Sequence, residues 1–164
     1  MKLLKILSYL NTNLYMKLYT KHLKKIGLSI NGVPKFISSD VYFDGKKYSA
    51  IHLGDNITIS REVMFLTHDY SINVVLGSNG NYIRRNSKEK YQIMDIFVGN
   101  NVFIGARASI LPNTKIGNNC IIGSCSVVKG TIPDNSVVIG NPCRILTTID
   151  HLNDKMNTNT YYTE

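Results

Sequence analysis

The sequence lacks an uninterrupted apolar run near its N-terminus: Asn11, Asn13 and Lys17 break up the leucines there, so neither a secretory signal nor a membrane span fits. Cysteine is scarce and odd in number, with only Cys120, Cys125 and Cys143. That excludes a disulfide framework and reads as reduced thiols in a cytoplasmic protein. No cysteine–histidine spacing suits zinc, and no aromatic-basic alternation suits a nucleic-acid-binding sheet. Acidic residues are few, 11 against 19 lysines and arginines, leaving a formal charge of +8. Such a balance suits a membrane surface or an anionic small-molecule partner. With 164 residues and 43% hydrophobic content, the chain is large enough for one domain with a real core.

What is present in abundance is a period. From Val98 to Gly130 an apolar branched residue falls at every sixth position: Val98, Ile104, Ile110, Ile116, Ile122 and Val128. With about a quarter of an average chain being Ile, Leu or Val, chance would give this on the order of once in a few thousand trials. Two places earlier stand small or β-branched residues, Ile96, Val102, Ala108, Thr114, Cys120 and Ser126, and glycine follows at Gly99, Gly105, Gly117 and Gly123. Gly99-Asn100-Asn101 returns eighteen residues later as Gly117-Asn118-Asn119, so three units make one turn.

Six residues are too few for a hairpin or a helix pair but suit one short strand plus a bend, stacked on the next coil at about 4.8 Å. The pattern predicts an all-β solenoid in which Val102 lies against Cys120, Ile104 against Ile122 and Ile110 against Val128. Glycine and asparagine after each apolar residue are expected to supply bends with positive φ.

These units resemble the hexapeptide repeat of left-handed parallel β-helix acyltransferases, over roughly residues 51–146. The exit segment Ile132-Pro133 followed by Gly140-Asn141-Pro142-Cys143-Arg144 is similar to that of sugar and xenobiotic acetyltransferases of this family, with Cys143 where alanine is usual. The resembled group includes maltose and galactoside acetyltransferases and O-acetyltransferases of capsule and lipopolysaccharide assembly. It implies left-handed coils, against the usual right-handed crossover, and a homotrimer with active sites between subunits.

The remaining chain divides around that unit. Residues 1–31 form an N-terminal segment with leucines and Tyr19 at helical spacings and lysines between them, broken near Asn11 to Asn13 and stopped by Gly27. This basic amphipathic helix either packs on the solenoid or a neighbouring subunit, or attaches peripherally to the inner face of an anionic membrane. The β-helix domain spans residues 32–146, although 32–50 read irregularly, with Val41, Phe43 and Tyr48 spaced as edge-strand residues and Asp44-Gly45 as a hairpin turn. Repeat character begins at Ile51. Gly54 and Gly99 lie 45 residues apart, 27 more than one coil needs, so a loop of about residues 68–95 is extruded, beside the active site. A polar tail, 147–164, forms a short helix or frays.

Transfer of an acetyl group from a thioester to a hydroxyl needs a base for the proton and a donor for the oxyanion. Of His22, His52, His68 and His151, only His68, in Thr67-His68-Asp69, sits where the regular coil gives way to the loop. The resemblance assigns it as general base. Asp69 is its partner, a substrate ligand or a turn residue; His52 reads as a strand residue, His22 as a helix-face residue, and His151 belongs to the tail. The resemblance also implies acetyl-CoA as co-substrate, with no metal, touching backbone groups after Gly105 and Gly123, at Ala106 and Ser124. Several relatives carry serine where Ala106 stands, so here a backbone amide or water serves the oxyanion. Lys129 and Arg144 are expected at the cofactor phosphates, although the family lysine falls one place later, where this chain has Gly130. The acceptor is expected to be a sugar, met by Asp69, Tyr70 and Arg84, with Asn73 and Arg85 nearby.

The leading reading is therefore a sugar O-acetyltransferase of surface-polysaccharide assembly, acting by direct transfer. Acetylation of an amino sugar or antibiotic nitrogen keeps the same cofactor. A zinc hydratase needs three converging histidines that the repeat lacks, and a non-catalytic scaffold would not bind coenzyme A.

Overall fold

The computed structural model describes residues 2–85 and 88–156. Two helices lead the chain, α1 (Lys2–Leu10) and α2 (Thr12–Ile26). Asn11 separates them, its side chain accepting the Leu14 N–H at 2.9 Å as a helix N-cap. Gly27, at φ 114°, ends α2 with left-handed geometry that favours glycine. Tyr15, Met16, Tyr19 and Leu23 form the buried face of α2 and cover the first coil of the solenoid. The Tyr15 hydroxyl donates to the Ile37 carbonyl at 2.6 Å, tying the helix to that coil.

The first coil comprises β1 (Ser29–Ile30), β2 (Phe36–Ile37) and β3 (Tyr42–Phe43); the second, β4 (Ile51–Leu53), β5 (Thr58–Ile59) and β6 (Met64–Phe65). The chain then leaves through β7 (His68–Asp69), α3 (Ile72–Gly77) and β8 (Gln92–Ile93). Three further coils follow: β9 (Ile96–Val98), β10 (Val102–Ile104) and β11 (Ser109–Ile110); β12 (Lys115–Ile116), β13 (Cys120–Ile122) and β14 (Val127–Val128); β15 (Thr131–Ile132) and β16 (Ser136–Ile139). The chain ends its described course in β17 (Arg144–Thr148), antiparallel to β16, and α4 (Ile149–Met156).

Parallel strands stack into three faces: β1-β4-β9-β12-β15, β2-β5-β10-β13-β16 and β3-β6-β11-β14. The pairings read from the repeat are present: Val102 against Cys120, Ile104 against Ile122, Ile110 against Val128. Inward residues form continuous apolar columns, such as Ile37, Ile59, Ile104, Ile122 and Val138, all buried. Each such side chain contributes about 1.5–3 kcal/mol on burial.

Three expectations change. The parallel coil begins at Ser29, not Ile51, because Ile30, Ile37 and Phe43 already point inward. Asp44-Gly45 makes no hairpin: β3 pairs parallel with β6, and the chain turns a solenoid corner instead. Tyr48 lies in a 3-10 turn, Tyr48–Ala50, that lengthens the first coil. The short helix expected in the tail is α4, which holds His151, and residues from 157 on lie outside the described residues.

Of the residues expected to bend with positive φ, Asn101 and Asn119 do so and the repeat glycines Gly99, Gly105, Gly117 and Gly123 do not. Positive φ is carried by Asn56, Asn101, Asn119 and Asn135 at one corner and by Glu62, Arg107 and Cys125 at another. The repeat glycines serve close approach instead. A Cβ on Gly99 would meet the Gly117 carbonyl oxygen at 2.7 Å.

Candidate active site

The extruded segment opens between faces three and one. Leu66 still pairs with the next coil through its N–H to the Ile110 carbonyl at 2.9 Å, and Thr67 is buried. At His68 the chain swings out into β7, which pairs antiparallel with β8 and closes the base of the loop. Among the described residues, this excursion carries its own ribbon, β7 with β8, and the helix α3.

Directly beneath, in the first coil, lies Asp44. Its N–H donates to the Phe65 carbonyl at 3.0 Å, which fixes the side chain under Thr67 and His68. The carboxylate is 1% exposed. Oδ2 accepts the Thr67 N–H at 3.0 Å, the Thr67 hydroxyl at 2.8 Å and a short hydrogen bond from His68 Nδ1. Oδ1 accepts the Lys46 N–H at 3.2 Å. Burial alone would raise the Asp44 pKa, but these bonds from His68, Lys46 and Thr67 outweigh it and hold the carboxyl below its ordinary value. An ionised Asp44 requires hydrogen on His68 Nδ1, which leaves Nε2 as the lone-pair nitrogen. The imidazole is 22% exposed, enough to meet a substrate.

Asp69 is not the partner of His68. Its Oδ1 accepts the Ser71 N–H at 2.7 Å and shapes the turn into α3. Hydrogen bonds from Ser71 lower the Asp69 pKa, with the Lys129 ammonium adding to the effect. Tyr70 meets His68 edge-on at 5.1 Å and tilts against Tyr91, also at 5.1 Å. The Lys46 ammonium lies 5.5 Å from the Tyr70 ring and 5.4 Å from that of Tyr91. Arg84 and Arg85 are exposed on the outer part of the loop, and Asn73 ties the loop together through Tyr70 and Lys90.

Four of the expected cofactor residues, Gly105, Ala106, Gly123 and Ser124, gather at the other edge of face three, whereas Lys129 lies on the His68 side. Ala106 and Ser124 line a groove of about 320 Å³ with Arg61, Glu62, Arg107 and Cys125. Gly105 and Gly123 lie between coils, where a Cβ would meet Ser124 N or Ile139 Cγ2 at 2.6 Å. Glu62, Arg107 and Cys125 stack here with φ of 58°, 61° and 59°, left-handed conformations costly for such side chains. Arg107 Nε donates to Glu62 Oε2 at 2.6 Å. Arg144 begins β17 and is exposed, with its Nη1 3.3 Å from the Cys143 carbonyl.

One chain thus joins His68, Asp69, Tyr70 and the field of Lys129 at one corner, and Ala106 and Ser124 at another. About five residues of extended chain, such as Glu62 to Thr67 around β6, separate the two edges by roughly 15 Å. Of the other histidines, His52 bonds Asp95 at 3.2 Å and stacks on Phe97, and His22 lies on an exposed face of α2. Cys120 is buried, and burial pushes its thiol pKa up.

Asp44, Lys46 and Tyr91 were not among the residues expected at the site. Asp44 lies 24 residues before His68, where eighteen-residue coils point to no contact. The available signal was the inward series Ile37 and Phe43 against Ile59 and Phe65, which sets the register at 22.

The sequence matches the family model described as bacterial transferase hexapeptide (six repeats) over residues 95–130. It is 33% identical over 160 residues to Protein CapG of Staphylococcus aureus, covering 92% of this chain and 86% of that one. Galactoside O-acetyltransferase of Escherichia coli (strain K12) is 35% identical over 100 residues, which is 61% of this chain but 45% of the relative. The solved structure of a galactoside acetyltransferase in complex with coenzyme A superposes with a TM-score of 0.61 at 25% identity, covering 88% of this chain and 74% of that one.

Proposed function

Because this chain belongs to the hexapeptide-repeat transferase family, we propose that it is an acyltransferase moving an acetyl group from acetyl-CoA to a sugar hydroxyl, with His68 as general base. The observation that carries this reading is the buried Asp44 carboxylate under His68, at the point where the loop leaves the coil. The names of the galactoside relatives support coenzyme A as co-substrate and a sugar as acceptor.

The groove at Ala106 and Ser124 fits the co-substrate chemically: exposed backbone for an amide-rich pantetheine arm, with Arg61, Arg107 and Arg144 as donors for phosphates. Bound there, acetyl-CoA supplies an acetyl carbon activated as a thioester. In the left-handed homotrimer typical of the family, this groove on one subunit faces the His68 corner of the next. That arrangement answers the separation of the two edges within one chain.

His68 Nε2 takes the proton of the acceptor hydroxyl while Asp44 holds the ring and stabilises the imidazolium. The hydroxyl oxygen bonds to the acetyl carbon, the carbon–sulfur bond breaks, and the proton on Nε2 leaves with the thiol. Ala106 has no hydroxyl, so a backbone N–H or a water steadies the oxyanion. Tyr70 and Tyr91 offer aromatic faces and hydroxyls to a sugar ring, and Asp69 and Arg84 flank the approach. An acceptor within surface-polysaccharide assembly suits this polar surround.

The test is thiol release from acetyl-CoA over a panel of sugars and amino sugars, with wild type and His68→Ala. Turnover with hydroxyl acceptors, falling about 10²–10⁴-fold in the variant while coenzyme A binding is kept, supports the proposal. Equal turnover in both proteins removes His68 as base, and absence of coenzyme A binding removes the transferase reading.

A further inference from the structure

We infer that the outward face of the two N-terminal helices is a docking surface for an anionic lipid bilayer. The inference is independent of acetyl transfer, since it concerns a part of the chain that the reaction does not use.

The first argument is charge. Residues 1–39 contain seven lysines and no acidic residue, whereas the other 125 residues hold twelve basic against eleven acidic. Nearly all of the formal +8 therefore belongs to the helices and the strand that follows. An even basic surface would not need this segregation.

The second argument is what stands among those lysines. The inner face of α2 is already satisfied by the solenoid. On its outer face Leu14 and Leu18 are 44% and 45% exposed, and Lys17, Lys21 and Lys25 share that side at spacings of three and four. In α1, Ile6, Tyr9 and Leu10 are 57%, 76% and 78% exposed. A solvated helix face has no use for five large apolar side chains. A face that sinks into the headgroup layer uses both kinds, with leucines entering the acyl boundary and lysines meeting phosphates. Beside it a groove of about 510 Å³ is bordered by Lys17, Lys24 and Lys35, again with no acidic group.

The third argument disfavours the alternatives. A second copy docking through the same face would set Lys17, Lys21 and Lys25 against their own counterparts, with no acidic residue between them. A nucleic acid would use the lysines and leave the leucines in water. No helix among the described residues is long and apolar enough to cross a membrane, so the contact is with the bilayer surface.

The experiment is sedimentation of the full chain with vesicles of phosphatidylglycerol and phosphatidylcholine, and with phosphatidylcholine vesicles alone. Binding to the anionic vesicles only, weakening as salt is raised, is expected. The triple variant Lys17→Gln, Lys21→Gln, Lys25→Gln should lose on the order of 100-fold in partitioning. Leu14→Ser with Leu18→Ser should lose on the order of 10-fold. All five side chains are exposed, so melting temperature and oligomer size should stay put. Failure to sediment with anionic vesicles, or equal binding to both kinds, overturns the proposal. So does unchanged binding of the leucine variant, which would mean polyanion attraction that single-stranded DNA competes for. A change of oligomer size in the leucine variant overturns it too, by showing the face covered by a second copy.

Discussion

Two corners of the prism share one backbone conformation and differ in every side chain. At the first, Asn56, Asn101, Asn119 and Asn135 adopt φ between 51° and 58°, and their carboxamides bond from coil to coil at 2.9 Å. Beside them, the Oδ1 of Asn100, Asn118 and Asp134 each accept an N–H from the coil before. Asparagine tolerates this conformation, so the corner is built for stacking. At the second, the same conformation is forced on Glu62, Arg107 and Cys125. Side chains held against backbone preference mark a corner where their chemistry outweighs stability. The third corner abandons the repeat at His68. The repeat is least regular at the two corners that the proposed reaction would use.

The largest effect that sharpens this contrast is Asp44→Asn. The amide keeps the size but sets an NH2 or a weaker acceptor against His68 and Thr67, so the ring loses its fixed tautomer. Turnover should fall on the order of 10²–10⁴-fold, read by thiol release, while coenzyme A affinity by calorimetry holds. The same carboxyl gives the acid dependence its sign. Its pKa lies below the ordinary 3.8 in the fold, so its stabilising contribution is whole above the ordinary value and is lost as pH falls through the folded one. Asp44→Asn should therefore flatten the acid limb of the stability–pH curve.

Next comes Gly99→Ala at the asparagine corner. A Cβ there meets Gly117 O at 2.7 Å and Asn118 Oδ1 at 2.9 Å, mostly backbone that cannot yield. Chemical denaturation should show a loss of about 1–3 kcal/mol or more, with turnover per folded molecule unchanged. Gly80→Ala, at φ 85° with nothing within 4 Å, carries the left-handed penalty without a clash and so separates backbone strain from steric overlap.

The legibility of the sequence follows the same gradient. Between Val98 and Val128 the coils repeat at eighteen residues and every sixth residue is apolar, so registers such as Ile104 against Ile122 could be written down beforehand. The first coil hid because its register is 23 on face one and 22 on the other two and its corners lack the Gly-Asn-Asn signature, though Ile30, Ile37 and Phe43 do the same work. Asp44 hid for that reason and one more. Asp-Gly is the strongest local turn signal, and a local signal says nothing of a histidine 24 residues away. His68 was legible because it stands where the period stops. Arg107 and Glu62 were silent, since a positive φ at such residues has no sequence signature.

A smaller effect separates the two functions of the asparagine corner. Asn119→Ala removes two solvent-exposed coil-to-coil bonds and places alanine at φ 52°, costing about 1–2 kcal/mol. Asn119→Gly removes the bonds but accepts the conformation, and should cost less by most of the left-handed penalty. Equal losses would mean that the ladder, not the backbone, selects asparagine.

The smallest and most telling change is Cys125→Asn, which transplants the stacking corner's residue into the groove corner. Cys125 sits at φ 59° and is exposed, with its N–H on the Ala106 carbonyl at 2.9 Å. Since no buried contact is lost, asparagine should relieve strain and stabilise by about 0.5–1 kcal/mol. In a chain of this length that is a rise of roughly 1–4 °C in melting temperature. If the groove is where coenzyme A lies, the bulkier polar side chain should at the same time raise the KM for acetyl-CoA and leave kcat alone. Stabilisation with unchanged KM would make the strain at Glu62, Arg107 and Cys125 a folding accident. Stabilisation with a raised KM would show the protein holding a less stable corner open for its co-substrate.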